Sequence, residues 1–456
     1  MKKLVVLAVL AAFILGTAGF ASAIELNAKG NWRVHFNYLK NTNDFDGDSK
    51  YDKFQAMQRA RVLFEFIASE NLKGVLHFEI GNQSWGNQGH GAALNADGVN
   101  VKTKNAFIQF AIPGTQAAVK AGIQGFALPS TYGSHILSAD VAALAAIIPF
   151  NDMMGLTVAW ARPYDLTQGT ANAKIEDEVD VFAAVLPISL DGVKLNPFAV
   201  YARWGKDFLN GAFGANADPN PFKNANQWFA GLNFAVDMLD PFVIKGDFNY
   251  GSVKLTDNFK ASGFIADVAL AYKMDMMTPE VYFLYETGED SKYSRGGDSK
   301  RMPTIGTDGT SWAPTSFGMV GSSFGGGTDG IMRGFIADLP GASDLDSYWA
   351  TEGTIGMWAT GVKLGDITFV QDLSHTLGFM FAKGTNDTAN ANLFTKDDKY
   401  YEVTFDHKYQ IYENLSLLVE TAWGKMDLDK LNVGKSREDL AKDSAWKLAA
   451  GFNYRF

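Results

Sequence analysis

The sequence predicts an all-β chain built as one transmembrane antiparallel up-and-down β-barrel. Three observations carry this reading. Both ends of the chain alternate apolar and polar residues with a period of two, and the connections between such segments alternate between very short and long. Beyond residue 23 no apolar run approaches the roughly 20 residues that a membrane-spanning helix needs, which excludes a helical membrane protein.

Residues 1–23 read as a cleaved signal peptide: Lys2 and Lys3 precede an apolar stretch from Leu4 to Leu15, and Ala21-Ser22-Ala23 supply the small-residue cleavage site. Residues 24–456 then form a single barrel domain, since no Pro-rich or Ser-rich linker divides them. In the opening strand Leu26, Ala28, Gly30, Trp32, Val34, Phe36 and Tyr38 share one parity, and Asn27, Lys29, Asn31, Arg33, His35 and Asn37 share the other. The closing strand sets Trp446, Leu448, Ala450, Phe452, Tyr454 and Phe456 against Lys447, Ala449, Gly451, Asn453 and Arg455.

The pattern recurs between them, with Leu76, Phe78 and Ile80 opposite His77 and Glu79, and Val403, Phe405 and His407 opposite Glu402, Thr404 and Asp406. Asp372 to Thr376 loses parity, as a bulge causes. In a soluble sandwich the apolar face is the core; in a membrane barrel it turns outward to lipid and the polar face inward to water. Ionisable polar faces, alternating connection lengths and aromatic residues near strand ends favour the barrel.

Eight short periplasmic turns are expected, at Ser69-Glu70-Asn71, Pro113-Gly114, Phe150-Asn151-Asp152, Leu190-Asp191-Gly192, Leu239-Asp240-Pro241, Asp275 to Pro279, Gly365-Asp366 and Tyr412-Glu413-Asn414. Nine longer outer loops fall near 41–52, 83–100, 126–138, 165–177, 207–224, 253–258, 289–350, 384–397 and 428–442. These connections give eighteen strands with both termini periplasmic. If the Ala-rich segment Asp140 to Phe150 belongs to an inward-folded loop the count is sixteen, and Ser436 to Asp443 offers a capped helical turn.

The chain has a formal charge of −10, which becomes −12 when the two signal lysines are removed, and this argues against nucleic acid as a partner. It has no cysteine, hence no disulfide framework, thiolate metal site or cysteine nucleophile.

The terminal Phe456 after Tyr454-Arg455 closes a chain that resembles the trimeric porins of Gram-negative outer membranes. The strongest similarity is to the homotrimeric porins of sulfate-reducing bacteria. It rests on Ile24-Glu25-Leu26 through Phe36, on Ala445-Trp446-Lys447-Leu448 through Phe456, and on the strand pattern of the mature chain. The resemblance implies a homotrimer in outer-membrane lipid and passive diffusion of ions and small hydrophilic solutes through a water-filled channel.

Lumen parity places Arg33 on the first strand, Arg59 and Arg61 on the second, Lys73 on the third, and Lys447 and Arg455 on the last, as a basic wall on neighbouring strands. Glu402, Asp406 and Glu420 lie on nearby strands; Glu79, Lys245, Asp247 and Asp267 are further pore-lining candidates. The plainer reading is lumen solvation or mutual pairing, as of Arg61 with Glu65 or Glu79. The loop from Glu289 to Ala350 is long enough to fold into the mouth, with Trp312, Phe317, Arg333 and Phe335 narrowing it, or to remain at the surface. Phe126 to Ser138 competes for the constriction.

No cofactor is expected. Asp44, Asp46 and Asp48 offer closely spaced oxygens to calcium, but Gly47 comes too early and no terminal Glu is in register, so a solvated acidic loop is the preferred reading. Gly321-Ser322-Ser323-Phe324-Gly325 matches the nucleophile elbow in letters but lies in a glycine-rich loop, without the strand-to-helix turn it needs. The histidines at 35, 77, 90, 135, 375 and 407 show no metal-ligand spacing. A passive channel is therefore the first reading and a channel specific for sugars or anions the second. A barrel enzyme lacks a visible nucleophile and base, a plugged transport receptor lacks room for its plug before the first strand, and a soluble all-β binding protein is the outsider.

Overall fold

The computed structural model describes residues 24–42, 45–49, 52–96, 101–166, 176–213, 222–256, 259–293, 296–307, 314–316, 324, 354–390, 393–429 and 441–456. The signal segment lies outside them. The first strands are β1 (Glu25–Lys40), β2 (Lys53–Ser69), β3 (Leu72–Ser84), β4 (Val101–Ala111), β5 (Ala118–Ala127), β6 (Leu137–Pro149) and β7 (Gly155–Asp165). The strand β8 runs over Glu178–Val185 and resumes over Ile188–Leu190, broken at Pro187, which has no N–H to give to the ladder. Then come β9 (Val193–Trp204), a short helix α1 (Lys206–Phe213) in the following outer loop, β10 (Ala225–Leu239), β11 (Phe242–Thr256), β12 (Phe259–Tyr272) and β13 (Thr278–Glu286). The chain ends with β14 (Met357–Val370), β15 (Leu373–Gly384), β16 (Lys399–Tyr412), β17 (Leu415–Asp427) and β18 (Ser444–Arg455).

Each strand pairs antiparallel with the next, and β1 pairs with both β2 and β18, so the sheet closes with eighteen strands. Closure removes the edges that hydrocarbon cannot solvate. The seam runs from Asn31 opposite Arg455 to Lys40 opposite Trp446. It is finished by mutual backbone bonds between Gly30 and Phe456, whose ring occupies the space a side chain at Gly30 would take.

The face assignment read from parity holds at both ends. Trp32, Tyr38, Trp446, Leu448 and Phe452 are about half exposed, whereas His35, Asn37, Lys447 and Asn453 on the alternate positions are buried. A soluble protein would not leave so extensive a band of Trp, Phe, Leu and Tyr uncovered; around a barrel it is the lipid-contacting surface. We therefore expect Phe248→Arg, at the middle of β11 and half exposed, to destabilise the folded barrel by about 2–4 kcal/mol, measured by urea unfolding from lipid vesicles. Little or no loss would place that face away from lipid.

Two expectations require correction. The turn expected at Gly365-Asp366 is a bulge instead: the register shifts between Leu364 and Ile367, Asp366 takes φ 54°, and β14 continues to Val370. The turn lies at Gln371-Asp372, where parity is lost because the chain reverses there. The Ala-rich segment is strand β6, paired on both sides, so the sixteen-strand alternative falls. Of the helical turn proposed at Ser436 to Asp443 only residues 441–443 are described, and they are not helical.

The lumen is not polar all round. Val181, Ala183, Val200, Ala202, Ile265 and Leu284 turn inward and join one buried cluster with Leu128, Ile136, Met302 and Ile305 from two outer loops. Parity alone reads these strands as less regular because both of their faces meet apolar neighbours.

Candidate functional site in the lumen

Residues 128–136, between β5 and β6, fold into the barrel and reach across to β10, β11 and β13. The Thr131 N–H donates to Asp247 Oδ2 at 2.6 Å, and Asn233 donates to Asp247 Oδ1 at 2.9 Å. The Tyr132 hydroxyl donates to Glu280 Oε1 at 2.5 Å; Lys245 pairs with Glu280 Oε2 at 2.8 Å and lies 5.0 Å from the Tyr132 ring centre. Lys245 and Asp247 thus anchor a loop and do not line free space in isolation. Asp267 faces Asp247 across the register and is buried with it.

The long connection after β13 also enters. Ser299 exchanges backbone bonds with Lys260 and Ser262, and Thr304 and Ile305 bond Ile136, laying this segment beside the first loop. Gly263 permits the approach: a Cβ there would stand 2.6 Å from the Met302 nitrogen and closer still to the Lys300 oxygen. Its base is pinned by a fully buried pair, Arg301 Nε to Glu289 Oε1 at 2.9 Å, and by Glu286, which accepts from the Ile355 and Gly356 amides at 2.9 Å each. Trp312, Phe317, Arg333 and Phe335 lie outside the described residues. The same connection nevertheless touches the basic wall: Arg33 donates to the Phe324 carbonyl at 2.6 Å, His35 stacks on the Phe324 ring at 4.9 Å, and Lys447 donates to the Ser316 carbonyl at 2.5 Å. The described parts of both loops therefore lie inside the barrel. Tyr132→Ala removes the ring and the Glu280 bond, and single-channel conductance is expected to rise; an unchanged conductance would show that this loop does not narrow the path.

Below these loops, toward the periplasmic rim, lies a cavity of about 700 Å³ bounded by Lys29, Arg33, Arg61, Lys408 and Arg455, with Glu413 the one carboxylate among its described lining residues. Lys29 is held by Glu65 at 2.8 Å and Arg61 by Glu79 at 2.6 Å. Arg33 bonds the neutral oxygens of Asn31 and Phe324. Among the described residues the side chains of Lys408 and Arg455 make no hydrogen bond or ion pair. The cavity is consequently electropositive.

Arg33, Arg61 and Arg455 are thus brought together as the strand order predicts. Arg59 faces Arg33 in the register but is buried, and Lys73 is spent on Glu65 at 2.8 Å. Lys447 stands apart, buried against Glu420 at 2.8 Å, with Asp406 opposite Glu420 on the next strand and Glu402 accepting from Tyr400 at 2.8 Å. Lys29 and Lys408 were not singled out from sequence, although both carry lumen parity; Lys408 sits on a strand whose other inward charges, Glu402 and Asp406, are acidic. Of the calcium candidates Asp44 lies outside the described residues, and the Asp46 carboxylate instead accepts from the Asp48 amide. Of the elbow motif only Phe324 is described.

A closed antiparallel barrel with short turns at one rim, long loops at the other and loops folded into a charged lumen defines the outer-membrane channel architecture. The chain is similar to solved structures of that kind. Against the outer membrane protein opdK of Pseudomonas aeruginosa the TM-score is 0.51 at 11% identity, covering 94% of this chain and 98% of that one. Against Acinetobacter baumannii OccAB4 it is 0.51 at 11% identity, covering 96% and 100%, and against Pseudomonas aeruginosa OccK11 (OpdR) 0.50 at 9%, covering 94% and 96%. No protein-family model and no curated protein matches the chain. The likeness is one of fold across nearly the whole of each chain.

Proposed function

We infer that this protein is an outer-membrane porin, exported through a cleaved signal peptide and forming a water-filled channel for passive diffusion of ions and small hydrophilic solutes, with a preference for anions. The observation that carries the reading is the cavity inside a closed barrel, where Lys29 and Arg61 are paired with Glu65 and Glu79 while Lys408 and Arg455 bond no described residue. An anion entering it meets uncompensated positive charge at Lys408 and Arg455 and guanidinium donors at Arg33 and Arg61. The assembly implied by the resemblance is a homotrimer, which native molecular mass in mild detergent tests.

Proteoliposome swelling tests the function. Small neutral and anionic solutes are expected to enter faster than cations of equal size, with rates falling as solute size grows. Vesicles that do not swell would end the channel reading. The second reading, a solute-specific channel, is favoured by the clustering of Arg33, Arg61 and Arg455 with Asn453 on one wall, a donor-rich surface suited to a carboxylate. Concentration-dependent block of ion current by one such solute would support it over general diffusion.

A further inference from the structure

The six histidines divide by face. His35 and His77 carry the lumen parity of β1 and β3, His135 lies in the inward loop and His90 in a short outer turn. His375 and His407 take the outward parity, with Leu377 and Phe379 on β15 and with Phe405 and Tyr409 on β16. They are 32 residues apart in the chain, yet the β15–β16 register sets them directly opposite. Their Nδ1 atoms are 2.6 Å apart, and the rings meet edge to face at 86° with centroids 4.9 Å apart. Phe405 flanks both, at 5.9 Å from His375 and 4.2 Å from His407.

The pair lies near the periplasmic rim: β15 begins at Leu373, just past the turn, and Tyr409 and Tyr412 on β16 are exposed at the same end. This is the interfacial band, reached by water and by ions in the periplasm. An imidazole on the outer wall needs a partner for each ring nitrogen. Two nitrogens aimed at each other have two ways to be satisfied: one ring donates to the other, or both lone pairs turn on a shared cation. Borderline divalent metals take imidazole nitrogen at about 2.0–2.1 Å. Two such bonds at roughly a right angle set the nitrogens about 3 Å apart, a few tenths of an ångström wider than here and within reach of a small ring rotation. The strands hold both Cα positions in place before any ion arrives.

We propose that His375 and His407 form a two-histidine site for a divalent transition-metal ion on the outer wall of the barrel, near its periplasmic rim. Among the described residues no third His, Cys, Asp or Glu joins the pair, so the ion keeps open positions for water or an external oxygen ligand. Affinity should follow Cu²⁺ above Zn²⁺ and Ni²⁺, with no response to Mg²⁺ or Ca²⁺, which prefer oxygen. The site lies on the lipid-facing wall and is independent of what passes through the lumen.

The test is a Cu²⁺ titration of the purified full chain in detergent micelles, read by electron paramagnetic resonance and calorimetry. One tight ion per chain is expected, with the signature of two imidazole nitrogens. His375→Ala and His407→Ala should each weaken binding at least tenfold and reduce the signature to one nitrogen or none. His90→Ala should change nothing. Heat-modifiable migration on gels confirms that each variant is folded, and His375→Gln provides a polar replacement should alanine fail. Equal affinity and an unchanged nitrogen signature in the His375→Ala/His407→Ala protein, or loss of binding in His90→Ala, would overturn the assignment.

Discussion

Reversing Lys408 and Arg455 to glutamate together is expected to lower the anion-to-cation permeability ratio by about tenfold and to carry the channel toward cation preference. Neither side chain bonds a described residue, so the exchange breaks no described hydrogen bond or ion pair; with Lys29 held by Glu65 and Arg61 by Glu79, it leaves Arg33 facing Glu413 and two new carboxylates. A unit charge about 7 Å from a permeating ion is worth roughly 0.6 kcal/mol in water, so a swing of four charges gives about 2 kcal/mol before screening. With a Debye length near 10 Å at 0.1 M salt, part of that survives, which is the basis of the tenfold figure. The shift should be larger at low salt and nearly vanish in molar salt. A ratio unchanged at low salt would separate this cavity from the conduction path.

The second large effect falls on stability. Lys447→Met removes the cation bonded to Glu420 at 2.8 Å, deep in a wall where Asp406 stands directly opposite Glu420. Both side chains of the pair are almost fully buried, at 0% and 2% exposure. Removing one partner of such a buried pair costs about 3–5 kcal/mol, whereas removing both charges is far cheaper. Lys447→Met is therefore expected to lower the urea midpoint of unfolding from lipid vesicles sharply, and Glu420→Gln in the same chain to restore most of it. If the single and double variants unfold alike, the Lys447–Glu420 bond does not hold this side of the barrel.

What was legible in the sequence follows from what period two encodes. Trp32 and Tyr38 against Arg33 and His35 reveal a face, and Ser69-Glu70-Asn71 reveals a reversal, because each is decided by neighbours in the chain. The same logic misplaced the turn at Gly365-Asp366, since a bulge with Asp366 at positive φ uses the same residue types as a turn. Contacts across the lumen are not encoded locally. That Thr131 would meet Asp247, or that Lys447 would prefer Glu420 to the cavity, depends on how far two loops fold inward. Arg33, Arg61 and Arg455 could be grouped because their strands adjoin at the seam; Lys408 could not, because its strand reads as acidic. His375 and His407 escaped a search by spacing because the hairpin joining them carries a long outer loop, which hides the register.

We propose an open channel whose electropositive periplasmic cavity selects by charge. Reversal potential across a planar bilayer holding the purified protein, measured in a tenfold potassium chloride gradient, tests it most directly. The account predicts discrete conductance steps and a reversal potential displaced toward the chloride equilibrium potential, more so in dilute salt. A displacement toward the potassium potential, or a bilayer that stays silent, would contradict it.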